Sequence, residues 1–395
     1  MARSVAPSGS LDALLAAKEI VVTCGSGGVG KTTTAAAAAA MAAAQHGGRV
    51  LVLTVDPARR LANALGLETF GNVERRVDDS AFAAAGVVPR GELWVAMLDT
   101  KQSWDDLVRR HAPDEATRDA ILANPLYENI TTRFVHSHDY IAMERLYDIH
   151  ATGAYDLLVV DTPPSRNALD FLDAPARMAE FFNSRLLRWL TVPYRSRVMT
   201  AASRPFYQLA DRILGSQFLQ DIAEFFILFQ TMHDGFVERA RGVQRVLSDS
   251  RTTFVVVSTL EPSPLHEAEF FIDALHDRKL HLGAVVLNKV LPSYLRDPAV
   301  ARAAAAMATR AEPLGAALAD DVGSPPEDVA RLLENVAASF HDYGLTAARE
   351  AEQRAELSSA PEVIVSVPQL GNDLTDLASV LDLGRYLWGS RSEVD

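Results

Sequence analysis

The run Gly25-Ser26-Gly27-Gly28-Val29-Gly30-Lys31-Thr32 constrains this chain more than any other eight residues. It fits G-x-x-x-x-G-K-[ST], in which glycines let backbone N–H groups turn inward around phosphate oxygens. Such a loop needs a buried strand before it and a helix after it, and both flanks are legible. Ile20-Val21-Val22-Thr23-Cys24 is a short β-rich run of the kind found in parallel strands buried on both faces. Ala35 to Gln45 is mostly alanine, the strongest helix former, and Gly47-Gly48 stops it. The start of that helix adds partial positive charge at the loop. Lys31 is expected at the β- and γ-phosphates and Thr32 on Mg²⁺ through its hydroxyl, with Gly27, Gly28, Val29, Gly30 and Thr33 completing the cradle.

The remaining chain alternates in the same way. Strands are predicted at Val50–Val55, Leu93–Leu98, Asp156–Asp161, Thr253–Ser258, Ala284–Leu287 and Glu362–Val367, with helical stretches between them. The fold class is therefore α/β, a mostly parallel sheet flanked by helices on both faces. Two regions lack strand character and read as helical, residues 177–250 and 298–359. The whole chain of 395 residues is then one phosphate-loop domain, 1–395, enlarged by these two helical stretches.

Composition removes several alternatives. Asp and Glu total 51 against 38 Lys and Arg, and a net charge of −13 argues against nucleic acid as a partner. Cys24 is the only cysteine, so no intramolecular disulfide or CxxC zinc clip is available, and no zinc is expected. The longest apolar run, Ala35–Ala44, falls short of the ~20 residues that span a membrane. Met1–Ser10 is polar and lacks signal-peptide character. A reduced, cytoplasmic protein is expected.

Beyond the loop, further motifs carry a resemblance. Gly-Gly-Val-Gly-Lys-Thr-Thr is similar to the deviant Walker A loop of the signal-recognition, Min and ParA-like NTPases. Asp56-Pro57-Ala58, followed by Leu61 and Leu65, resembles switch I of one branch, the arsenical-pump and guided-entry (tail-anchored protein targeting) ATPases. Asp161-Thr162-Pro163-Pro164-Ser165 resembles its switch II. The resemblance implies an ATPase that uses ATP and Mg²⁺ and acts as a nucleotide-switched dimer on a protein client. It gives Asp56 the task of positioning or activating the attacking water, and Asp161 that of holding Mg²⁺ through water. It makes Asn288 the adenine-reading residue, and Pro368, within Val367-Pro368-Gln369-Leu370, part of the adenine-side loop.

The departures are as informative as the matches. The deviant loop carries a lysine after its first glycine that reaches across a dimer interface, and here that position is Ser26. A serine supplies no positive charge to a phosphoryl transition state. Either the chain pairs with a lysine-bearing paralogue, or it forms a homodimer that hydrolyses ATP slowly or by other contacts. The usual Gly-His of switch II is replaced by Arg166-Asn167. Cys24 alone holds neither zinc nor metalloid, which argues against arsenite transport.

Eight of the 16 phenylalanines lie between Phe181 and Phe236. Apolar residues at 218, 222, 225, 229, 232 and 236 predict one face of a single helix. That face is either the core of a helical lobe or a groove for a hydrophobic client helix. Six arginines face one aspartate between residues 185 and 212, a segment suited to anionic membrane lipid or an acidic partner, or simply to solvent. Alternative functions are a ParA/Min-type positioning ATPase, a regulatory subunit of a heterodimer with little activity of its own, and a metabolic kinase, which would need a small-substrate pocket that is not legible in the sequence.

Overall fold

A computed structural model of the chain describes residues 10–55, 72–133, 135–162, 225–356, 361–371 and 374–389, together with 173, 177 and 180. The strands are Ile20–Cys24 (β1), Gly48–Thr54 (β2), Arg75–Arg76 (β3), Gly91–Met97 (β4), Leu157–Asp161 (β5), Thr252–Ser258 (β6), Leu282–Val290 (β7) and Val363–Pro368 (β8). They form one sheet in the order β3-β4-β2-β5-β1-β6-β7-β8. All neighbours are parallel except β3, which runs antiparallel to β4 at the edge. The seven sequence-predicted strands all appear. β3 was not predicted, because two charged residues carry no hydrophobic pattern.

The helices are Leu11–Ala16 (α1), Lys31–Gln45 (α2), Asp79–Ala84 (α3), Thr100–His111 (α4), Glu115–Leu122 (α5), Pro125–Arg133 (α6), Val135–Thr152 (α7), His233–Leu247 (α8), Pro262–Asp277 (α9), Pro298–Thr309 (α10), Ala311–Val322 (α11), Pro326–Glu356 (α12) and Leu377–Leu387 (α13). The last three before β8 account for the helical stretch predicted at 298–359. Among the described residues, no helix is long and apolar enough to cross a membrane.

Successive residues of each central strand enter opposite cores, the period-two consequence of the pleat. Ile20, Val22 and Cys24 of β1 join Leu51, Leu158, Phe254 and Val285 in one cluster. Val21 joins Val50, Val159, Val255 and Val286 in the other. The second cluster is closed by α2, whose residues Ala35 to Ala44 are all buried. Small side chains let this helix lie close to the sheet and to α13. A Cβ on Gly384 of α13 would sit 2.2 Å from Met41 Cγ.

The first cluster is closed by aromatic rings. Trp104 of α4 packs against Tyr140, Phe229 and Phe236 with centroids 5.8, 6.3 and 6.3 Å apart. Phe225 stacks on Phe229 at 5.0 Å. Phe225, Phe229, Met232 and Phe236 are all buried there, so these residues of the phenylalanine-rich face belong to the core. That face is not one continuous helix. A turn at Thr231–Met232 separates helical residues 225–230 from α8. Thr231 Oγ1 donates to Leu228 O at 2.6 Å, competing with the helical ladder at that point. Residues 181–224, with the arginine-rich segment, lie outside the described residues.

Polar cross-links hold α8 on α7. Glu144 of α7 is almost fully buried and accepts from Arg239 Nε of α8 at 2.5 Å and from Tyr140 Oη. Burial pushes the Glu144 carboxyl above its ordinary range, and the Arg239 guanidinium opposes that shift.

The alanine helix gives a direct test. Ala39 is fully buried, and Ala39→Leu adds volume where the helix meets the sheet. It is expected to lower the unfolding free energy by about 1–3 kcal/mol, measured by urea denaturation. Replacement of an exposed residue such as Glu334 by Leu serves as the control and should change it by less than about 0.5 kcal/mol.

Candidate functional site

The site forms at the C-terminal ends of the central strands, where the loop from Gly25 to Gly30 leaves β1 and enters α2. The first glycine is required by close approach, since a Cβ on Gly25 would lie 2.1 Å from Val257 O of the neighbouring β6. Gly30 caps α2 with φ +96°, and a Cβ there would lie 2.3 Å from Asn288 Nδ2. The cap uses no side chain, and the first turn of α2 holds no acidic residue. The first-turn N–H groups and the positive end of the helix are therefore left to an anion. Lys31 is buried, and its ammonium donates to Ser26 O at 2.8 Å, closing the loop on itself.

Asp161 ends β5 and pairs with Thr23 of β1 on one side and Thr54 of β2 on the other. Its side chain is fully buried. Thr32 Oγ1, from the first turn of α2, donates to Asp161 Oδ2 at 2.7 Å. Thr54 Oγ1, at the end of β2, donates to the same oxygen at 2.9 Å. The next residue, Thr162, turns its hydroxyl back to Thr23 O at 2.8 Å. Donors of this kind lower the cost of burying a carboxylate, and here both act on the same oxygen.

β7 supplies the opposite wall. Asn288 is buried, and its Nδ2 donates to Val29 O at 2.8 Å while its Oδ1 accepts the Lys289 N–H at 2.9 Å. Lys289 Nζ donates to Gly28 O at 3.0 Å. Lys289 has φ +59°, a left-handed conformation that a lysine adopts at a cost of order 1–3 kcal/mol. The register between β7 and β8 shifts between Leu287 and Val290, the mark of a bulge. Beyond the bulge Val290 pairs with Pro368, and Gln369 N donates to Val290 O at 3.0 Å. Pro368 thus stands beside the strand end that carries Asn288.

The structure brings together Gly27, Gly28, Val29, Gly30, Lys31, Thr32, Thr33, Asp161 and Asn288, with Pro368 on the neighbouring strand. Asp56, Pro57, Ala58, Leu61, Leu65 and the switch-II residues from Pro163 to Asn167 lie outside the described residues. Asn288, expected at adenine, has both polar atoms engaged with backbone in this structure. Two site residues were missed in the sequence. Thr54 reads only as a strand end, and Lys289 as an ordinary exposed lysine. Cys24 lies buried beneath the loop, and burial pushes its thiol far above the ordinary range, leaving an inert small hydrophobe.

A family described as anion-transporting ATPase matches residues 18–310. A Mycobacterium tuberculosis protein named ATPase BagA is 27% identical over 149 residues, 38% of this chain and 42% of that protein. A candidate arsenical pump-driving ATPase of Aquifex aeolicus is 25% identical over 290 residues, 69% of this chain and 63% of that protein. The chain thus spans less than half the length of the mycobacterial relative and under two thirds of the Aquifex one.

Thr54 separates a structural role from mere proximity. Thr54→Val keeps the shape but removes one donor from the buried Asp161 carboxylate. A loss of about 1–3 kcal/mol in unfolding free energy is expected, measured by urea denaturation. Thr54→Ser, which keeps the hydroxyl, should recover most of it.

Proposed function

This chain belongs to the anion-transporting ATPase family, and from that premise we propose that it is a magnesium-dependent ATPase whose nucleotide cycle governs a protein partner. One observation carries the reading: the Thr32 hydroxyl and the Asp161 carboxylate meet at 2.7 Å at the start of the loop helix. Their oxygen donors suit a hard cation. Among the described residues no group of three or more His, Cys, Asp or Glu side chains could hold a metal ion. A cation here would take Thr32 directly and Asp161 through water, and its remaining ligands from phosphate and water, as Mg²⁺ prefers. When bound, Mg²⁺ neutralises charge on the β- and γ-phosphates.

The roles of the protein groups follow. The amides of residues 27–33 and the α2 N-terminus receive the phosphates. Lys31, now spent on a carbonyl of its own loop, is the charge for the β- and γ-oxygens. Asp56 positions the attacking water. Asn288 and Pro368 border the adenine.

Only one phosphate loop is present, so a two-site engine requires a second chain. Ser26 favours a partner subunit that brings its own lysine over a homodimer. A client protein, and an anionic membrane as its destination, are the partners this reading favours. The lone buried Cys24 gives no basis for arsenite chemistry.

The purified chain is expected to release phosphate from ATP only with Mg²⁺ and to stop on adding EDTA. Lys31→Ala should lower turnover by at least about a hundredfold. Asp56→Asn should still bind ATP but hydrolyse it at least about a hundredfold more slowly. Failure of the wild-type chain to bind ATP, in Mg²⁺, would overturn the ATPase reading. Pull-down with Asp56→Asn tests the partner: hydrophobic-tailed membrane proteins support a client, and a lysine-bearing paralogue alone supports a heterodimeric regulator. Light scattering that gives a monomer with ATP, and a pull-down that recovers neither, would remove the dimer.

A further inference from the structure

We infer that Lys289 is a positioning residue for nucleotide phosphates, acting through the backbone of the phosphate loop; the inference rests on the nucleotide reading above. In a regular strand, neighbouring side chains point to opposite faces. Asn288 and Lys289 are neighbours on β7, yet both bond the same loop, at Val29 O and Gly28 O. The left-handed backbone at Lys289 and the register shift beside it break the alternation and bring both side chains to one place.

The two bonds fall on consecutive peptides. In a planar trans peptide the C=O and N–H groups point in opposite directions. Holding Gly28 O toward Lys289 therefore turns the Val29 N–H away from β7. Holding Val29 O toward Asn288 does the same for the Gly30 N–H. Glycines at 28 and 30, with φ +80° and +96°, have the freedom to reorient that these bonds remove. Successive N–H groups fixed in one direction make an anion nest. Preorganising them before the ligand arrives raises affinity, because the ordering cost is met in the folded chain.

Lys289 also differs from Lys31 in kind. Lys31 is buried within the loop, whereas Lys289 is exposed at its outer edge. Its ammonium adds positive charge beside a loop whose position 26 is a serine. Length, charge and donor capacity are thus all required, and arginine retains them where methionine does not.

The test is titration of the full chain with MgADP by calorimetry, alongside thermal melting without nucleotide. Lys289→Met should weaken MgADP binding about tenfold, equivalent to about 1.4 kcal/mol, with a melting temperature within about 2 °C of the wild type. Lys289→Arg should bind within about threefold of the wild type, a difference near 0.7 kcal/mol. Lys289→Asn, which tolerates the left-handed backbone but lacks the ammonium, should match the methionine variant. Wild-type affinity in Lys289→Met, or an equal loss in all three variants that follows their melting temperatures, would overturn the proposal while leaving the ATPase reading intact. A wild-type chain that binds no MgADP would overturn both.

Discussion

The buried carboxylate of Asp161 is the interaction on which the site depends. One of its oxygens takes hydroxyl hydrogens from Thr32 and Thr54. Those residues belong to the loop helix and to β2, while Asp161 itself ends β5. Three elements are thereby tied at a point where an unpaired charge would be very costly. The tie places the first turn of α2 against the strand ends, so the loop's amides have a fixed frame. It also couples them, because any ligand that competes for the Thr32 hydroxyl alters the hydrogen bonding that Thr54 shares.

The loop is held from its other side by β7, and the means differ. At Asp161 a charge is satisfied by hydroxyls. At Asn288 and Lys289 backbone carbonyls are satisfied by side-chain donors, at the expense of a left-handed lysine. The two restraints act on different parts of the motif, one on the helix and the other on the glycines. Neither works without the close seating of α2, which its run of buried alanines permits. Bulk on that helix would lift the loop away from both.

What could be read from the sequence follows from which interactions leave a pattern. Buried parallel strands require continuous β-branched and leucine runs, so β1, β2, β4, β5, β6, β7 and β8 were all legible. The loop was legible because glycine, lysine and threonine are each demanded at fixed spacing. The edge strand β3, Arg75–Arg76, buries nothing and left no trace. The phenylalanine periodicity located a buried face but not the break at Thr231–Met232, which local side-chain bonding sets. Thr54 and Lys289 were invisible for a related reason. Their partners are distant in sequence, and a lysine with φ +59° has no signature in residue type. Asn288 is expected at the adenine from its motif, whereas its engagement with Val29 O is a tertiary fact.

The serine at position 26 has a narrower consequence than its family context suggests. Lys31 bonds the carbonyl of residue 26, a backbone atom, so the bond that closes the loop is indifferent to the side chain there. Ser26 Oγ is itself buried with no hydrogen-bond partner among the described residues, so it presents neither charge nor donor at the surface. The bond from Lys31 to the residue-26 carbonyl, and the Thr32–Asp161 contact, therefore make no use of the serine hydroxyl. Under the dimer proposal, what the exchange removes is the charge this chain could lend to a neighbour's nucleotide. Lys289 does not replace that, because its ammonium is committed to Gly28 of its own loop. In that proposal two identical chains would have two receiving sites and no donor between them. Under the proposed pairing with a lysine-bearing chain, only the site in this chain would receive a donated charge, and the two nucleotides would be held in unequal sites.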